Sequence, residues 1–237
     1  MAHEIVFSTS DQAHNAGPGG YIEKFGMEAI CNRLAKIFAL DNRFIFKHTP
    51  HTFRDQVQDH VIFANNLSPR PELYIAMHSN AGQRGTEGFY FSSSVKGKRL
   101  AQLLVAALAP LSPGADTGGV TSHDAFIEIH GPIMTAVLIE LEAHDWLAGV
   151  VWLTTKVTPI AVAIYKAVCK YYGLTPKVYP PATKPVPALD LAAPALKAAL
   201  VAYAKAHKMP ASLYTTVNVS TAVMGAAAKT LGRAIFK

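Results

Sequence analysis

The chain has 237 residues, half of them hydrophobic, enough to bury a substantial core in one large domain or in one domain with a small appendage. Its net charge of +6 is unevenly placed: residues 1–175 carry 14 Lys and Arg against 15 acids, whereas residues 176–237 carry eight against Asp190 alone. The composition argues against a disulfide framework, with only Cys31 and Cys169, both in helical patterns, and against a membrane span, because the longest uncharged windows, near 100–115 and 209–228, are broken by proline or dense in Ser, Thr and Asn.

The N-terminus reaches Glu4 and a strand without the basic patch, apolar run and small-residue cleavage site of a secretory signal, so no Sec export is expected. Ile5-Val6-Phe7 is that strand, and it runs into a loop, Ser10 to Tyr21, carrying His14, Asn15 and Gly17-Pro18-Gly19-Gly20. Such a loop turns sharply near a site and displays its histidine. Met27, Ile30, Cys31, Leu34 and Phe38 recur at helical spacing and predict an amphipathic helix over 26–39. Glu28 lies in its first turn, with Asn32 four residues on and on the same face, where it can orient the Glu28 carboxylate. The plainer alternative is an acid favoured by a helix N-terminus.

Arg43 to Lys47 reads as a second strand, and Phe53 to Leu67 as a helix with Phe53, Val57, Val61 and Ala64 inward. His48, His51 and His60 read as surface or loop histidines, since nothing acidic or histidine-rich accompanies them at metal spacing. Leu73-Tyr74-Ile75-Ala76-Met77 lacks the alternation of an exposed sheet and predicts a strand covered on both faces, followed at once by His78-Ser79-Asn80. Gly88 to Phe91 is a strand, Val95 to Leu111 a helix closed by Pro110 and Pro113, and Thr117 to Val120 and Ala125 to Ile129 are short extended pieces with His123 and His130 at the rim. Ile133 to Ile139 is a strand that runs straight into Glu140. After an apolar helix, Thr158-Pro159 reads as an N-cap followed by proline at the first helical position, opening a helix that stops at Gly173.

Strands and helices alternate throughout, so the fold class is α/β. In open α/β sheets chemistry collects beyond the carboxyl ends of the strands. His14, His78 and Glu140 all stand at such ends and suggest one site. A first domain is expected over 1–175. Residues 176–188 read as a semi-rigid linker, because five prolines lie between Thr175 and Leu189. Residues 189–237 hold two helical patterns, Leu196, Leu200, Tyr203 and Val219, Val223, Ala227, Leu231, Ile235, which predict a small basic helical module that packs on itself, dimerises or docks onto a partner. So one-sided a charge points to an anionic partner, with mere solubility as the alternative.

Five pieces in order resemble a known family, the zinc-dependent N-acetylmuramoyl-L-alanine amidases of the amidase 3 type, particularly the forms in phage endolysins. They are the loop histidine His14; Glu28 with Cys31-Asn32-Arg33-Leu34-Ala35; His78-Ser79-Asn80-Ala81; the strand Gly88-Phe89-Tyr90-Phe91; and Ala136-Val137-Leu138-Ile139-Glu140 followed by His144-Asp145. The resemblance covers about the first 175 residues. It implies that His14, Glu28 and His78 bind Zn2+, that Glu140 is the catalytic carboxylate, and that the sheet is twisted, mixed and largely parallel, with about six strands and helices on both faces. The chain departs from the usual pattern at Ala13-His14-Asn15, where glycine is common, and at Ala143-His144-Asp145-Trp146.

Two imidazoles and one carboxylate leave a fourth zinc position open, as in catalytic sites. Water bound there acidifies towards a pKa of about 7, and a nearby carboxylate such as Glu140 accepts its proton and returns it to the leaving amine. The activity that the resemblance implies is hydrolysis of the amide between N-acetylmuramic acid and L-alanine in peptidoglycan, by a phage or prophage endolysin expected to be made in the host cytoplasm and to act on the wall after release. Expected partners are peptidoglycan and, through the basic module, anionic wall polymers or a second copy of the chain, and no nucleic acid. The rivals are a zinc peptidase cutting within the stem peptide and a catalytically silent wall-binding protein.

Overall fold

In a computed structural model, which describes residues 2–49, 56–114 and 119–179, the chain opens with β1 (His3–Thr9). A two-residue ribbon, β2 (Ala16–Gly17) with β3 (Tyr21–Ile22), leads directly into α1 (Glu23–Phe38). There follow β4 (Phe44–His48), α2 (Val57–Asn65), β5 (Leu73–Asn80), β6 (Glu87–Tyr90), α3 (Val95–Leu108), β7 (Gly119–Ser122), the one-turn helix α4 (Ile127–His130), β8 (Thr135–Ala143), α5 (Leu147–Thr155) and α6 (Val157–Tyr171). The sheet order is β4-β1-β5-β8-β6-β7, and every pairing is parallel except β6 with β8. The architecture is thus α/β, with a mixed, largely parallel six-stranded sheet between helices. The expected helical module, residues 180–188 of the linker, His51, Phe53 and Thr117 lie outside the described residues.

Alternating strand residues feed two cores, as the period of two requires. Ile5, Phe7, Ile75, Met77, Val137 and Ile139 face the larger one, shared with Met27, Ile30 and Leu34 of α1, Leu100 and Leu104 of α3, and Ile160, Ile164 and Val168 of α6. Val6, Tyr74, Ala76, Ala136 and Leu138 face the smaller one, closed by Val61 and Ala64 of α2 and Ile129 of α4. Ser8, His78 and Glu140 share the parity of this second set. The polar groups at the carboxyl ends of β1, β5 and β8 therefore project towards the α2 and α4 side.

Several boundaries differ from the sequence expectation. The helix expected over 26–39 begins at Glu23, because β3 hands the chain straight into it, so Glu28 falls in the second turn. Ala125 to Ile129 is not extended: Ile127–His130 forms a helical turn that buries Glu128 and Ile129. Thr158 lies inside α6, whose flanking residue is Lys156, and Pro159 occupies its third position. Proline is tolerated there because the first four helical N–H groups have no intrahelical partner. At the other end Gly173, at φ 69°, turns the chain as expected, and the Leu174 N–H closes onto Cys169 O at 2.8 Å. The pair α5 and α6 is apolar but bent by 74°, and no single helix among the described residues is long and apolar enough to cross a membrane.

The described unit continues to Tyr179. Arg43 Nη2 donates to Thr175 O at 3.0 Å, and the Lys177 N–H donates to the Tyr165 hydroxyl at 3.0 Å. Tyr165 in turn donates to Asp41 Oδ2 at 2.7 Å, so Thr175–Tyr179 is strapped to the unit.

Candidate metal and catalytic site

β5 delivers His78 with its ring between two buried carboxylates. Nδ1 lies 3.2 Å from Glu23 Oε1 and Nε2 lies 2.7 Å from Glu128 Oε2. Glu23 is the first residue of α1, where the helix dipole favours an acid. Its Oε1 also accepts the Ser79 N–H at 3.0 Å, and its Oε2 accepts Asn15 Nδ2 at 2.6 Å. Glu128 is carried in by α4 and accepts the Ser8 and Tyr74 hydroxyls on Oε1, each at 2.6 Å. Behind Ser8, His60 Nδ1 lies 2.8 Å from Oγ.

Glu140 is the register partner of His78 across β5 and β8, and of Glu87 across β8 and β6. Its Oε2 is buried and has no hydrogen-bond partner among the described residues. Burial raises its pKa to about 7; the His78 charge pulls the other way, and Glu23, Glu87 and Glu128 add to the rise. Burial works to lower the His78 pKa, but the Glu128 and Glu23 carboxylates outweigh it and hold the ring well above its ordinary value. The same contacts hold Glu23 and Glu128 below the usual carboxylate range, although burial opposes them. A carboxylate poised near neutrality beside a cationic centre is the pattern of a proton-transfer site.

Of the residues singled out in the sequence, His78 and Glu140 are thus neighbours. His14 stands on an exposed turn beside Asn15, whose side chain holds Glu23 and whose carbonyl accepts the Glu23 N–H at 2.9 Å. Glu28 is half-buried, and five residues beyond Glu23 it points about 140° around the helix from it. The carboxylate against His78 is Glu23, in the place expected for Glu28. Asn32 is exposed, and the side chain that orients Glu23 is Asn15. His60, expected at the surface, is fully buried. His144 donates from Nδ1 to Ser79 O at 2.6 Å and Asp145 Oδ2 accepts the Gly82 N–H at 2.9 Å, so both pin the turn after β5.

Ser8, Glu23 and Glu128 went unread in the sequence, and Tyr74 was read only as part of a covered strand. Glu23 sits four residues before Met27 and continues its helical row, but Gly26 looks like a helix start. Glu128 lies among Phe126, Ile127 and Ile129, a stretch too short to separate a helical turn from a strand.

The donor chemistry at His78 suits a zinc ion. With the Nε2–H engaged by Glu128, an Nδ1 lone pair and a carboxylate oxygen 3.2 Å apart repel unless a proton or a cation lies between them. Two donors at 2.0–2.1 Å from one tetrahedral zinc are themselves roughly 3.3 Å apart. Among the described residues no set of three His, Cys, Asp or Glu side chains is grouped to hold a metal. His78 and Glu23 supply two donors, and the turn next to Asn15 carries His14.

No family profile and no curated protein matches the chain. Solved structures do. The catalytic domain of CwlV, an N-acetylmuramoyl-L-alanine amidase from Bacillus (Paenibacillus) polymyxa var. colistinus, aligns with a TM-score of 0.63 at 21% identity, over 73% of this chain and 99% of that one. The amidase AmiC2 of Nostoc punctiforme aligns at 0.62 and 19%, over 72% and 97%. The catalytic domain of the CD27L endolysin, which targets Clostridia difficile, aligns at 0.58 and 19%, over 71% and 97%. At these identities the likeness is one of fold: over more than two thirds of its length, the chain has the fold of N-acetylmuramoyl-L-alanine amidase catalytic domains.

Proposed function

We propose that the chain is a zinc-dependent peptidoglycan hydrolase that cleaves the amide between N-acetylmuramic acid and L-alanine of the stem peptide, acting as a phage or prophage endolysin. The observation that carries this reading is Glu140: a half-buried carboxylate with an enclosed Oε2, raised to about 7 and register-paired with a histidine whose other contacts suit a metal ligand. His78 and Glu23 would hold the ion, with His14 as third ligand. Bound there, zinc supplies a Lewis acid for the carbonyl and lowers the pKa of a water.

Glu140 takes the proton of the attacking water and returns it to the nitrogen of L-alanine as the amide bond breaks. A pKa near the working pH suits it to both transfers. Asn15 and the Ser79 N–H keep the Glu23 carboxylate turned to His78. Digestion of purified peptidoglycan by zinc-loaded full-length protein, read by mass spectrometry, tests this. Stem peptides with a free L-alanine amino terminus are expected. Release of fragments cut inside the stem would make it a peptidase, and an intact wall would leave a binding protein.

A further inference from the structure

The side of His78 away from Glu23 is occupied by a buried assembly that no step at Glu140 uses. Glu128 is 2% exposed, and its hydrogen-bond partners among the described residues, Ser8, Tyr74 and His78, are all buried. Ionised carboxylates only accept, so the protons in this cluster can be followed one by one. Ser8 and Tyr74 each give their hydroxyl proton to Oε1. Having spent its proton on Glu128, Ser8 can only accept from His60, so His60 carries its hydrogen on Nδ1. Oε2 is left to face His78 Nε2 at 2.7 Å, which must therefore be Nε2–H. Nδ1 is then the nitrogen turned to Glu23, 3.2 Å away.

We propose that Glu128, braced by Ser8 and Tyr74 with His60 behind them, is the positioning residue of this site: it holds the Nε2–H of His78 and so commits Nδ1 to the metal. The proposal rests on reading His78 as a metal ligand. A carboxylate behind a metal-bound imidazole fixes its tautomer and orientation and raises its basicity, and such partners are worth about 10–100-fold in metal affinity. Three donors converge on two oxygens here, so an amide cannot replace the carboxylate: in Glu128→Gln one donor meets an NH2 group.

The test uses full-length protein with 15N-labelled histidine, without metal and loaded with zinc or 113Cd, alongside metal affinity by competition with a chelator. In the wild type the metal is expected on Nδ1, shown by 113Cd–15N coupling, with a slowly exchanging Nε2–H. Glu128→Gln should lose that protected proton and bind zinc about 10–100-fold more weakly. Ser8→Ala and Tyr74→Phe, which touch the carboxylate and not the ring, should each weaken binding by less, and they carry the test if Glu128→Gln does not fold. Metal on Nε2, or unchanged affinity and Nε2–H protection in Glu128→Gln or in both bracing variants, overturns the proposal. A wild type that binds no zinc while its His78 keeps the protected Nε2–H sustains the tautomer assignment and refutes the metal reading of His78.

Discussion

Glu140 is costly to bury, and the cost has a sign. Its pKa rises from an ordinary 4.5 to about 7, so between those values the folded, metal-free protein holds a proton that the unfolded chain has released. That contribution favours folding at low pH and is lost as pH rises through the window, by at most about 3 kcal/mol. Glu140→Gln removes the penalty. The metal-free variant should therefore gain on the wild type in denaturant midpoint at pH 8 and show little difference at pH 4, while the zinc-loaded variant keeps its metal and loses roughly a hundredfold or more in turnover. Loss of zinc in this variant would make Glu140 a ligand instead. Zinc stoichiometry also separates the two glutamates of α1: Glu23→Ala should lose most of the metal and Glu28→Ala should keep it. The opposite outcome would restore Glu28 as the ligand. His78 and Glu140 were legible because each follows an apolar strand, a signal of order along the chain. Glu23 was not, because its role depends on a helix starting three residues before Gly26, which the ribbon of β2 and β3 dictates.

At the level of elements, the ribbon is what sets that helix start and brings Asn15 to Glu23. It can lie close to the end of β8 only because residue 17 has no side chain: a Cβ there would stand 1.9 Å from His144 O. Gly17→Ala must push the ribbon away from β8, and it should cost about 1–3 kcal/mol, the range of overpacking in a tight site. The denaturant midpoint should fall while the slope stays constant, and zinc affinity should weaken with it, since Asn15 immediately precedes the ribbon. An unchanged midpoint would mean that the ribbon sits there without holding the site. Of the long elements, α1 was readable from helical periodicity and β5 from a continuous apolar run, whereas α3 and α6 were read from the prolines and the glycine that bound them. The one-turn helix α4 was not readable, because four residues carry no period, and yet it delivers Glu128 to His78.

Across the whole molecule, alternation of strand and helix made the α/β class legible, whereas the order β4-β1-β5-β8-β6-β7 and the reversal of β6 depend on pairings between distant segments that no local pattern encodes. The charge asymmetry is equally plain in the sequence, and it yields the prediction with the widest reach. All candidate catalytic residues precede Tyr179, and residues 180–237 hold seven Lys and Arg against Asp190 alone. A chain stopped after Tyr179 keeps the strap that ties Thr175 to Arg43 and Lys177 to Tyr165. It should fold and cleave a small soluble muropeptide at an undiminished rate. A chain stopped at Thr175 loses the Lys177 bond and the stacking of Arg33 on Tyr179, so it should be less stable by about 1–2 kcal/mol. Binding of intact walls should fall in both. If the basic segment acts by charge, wall binding of the full-length protein must also weaken with salt, because screening shortens from about 8 Å at physiological ionic strength to about 3 Å at 1 M. Insolubility of the chain ending at Tyr179, or its failure on soluble muropeptide, would show instead that residues 180–237 complete the catalytic unit.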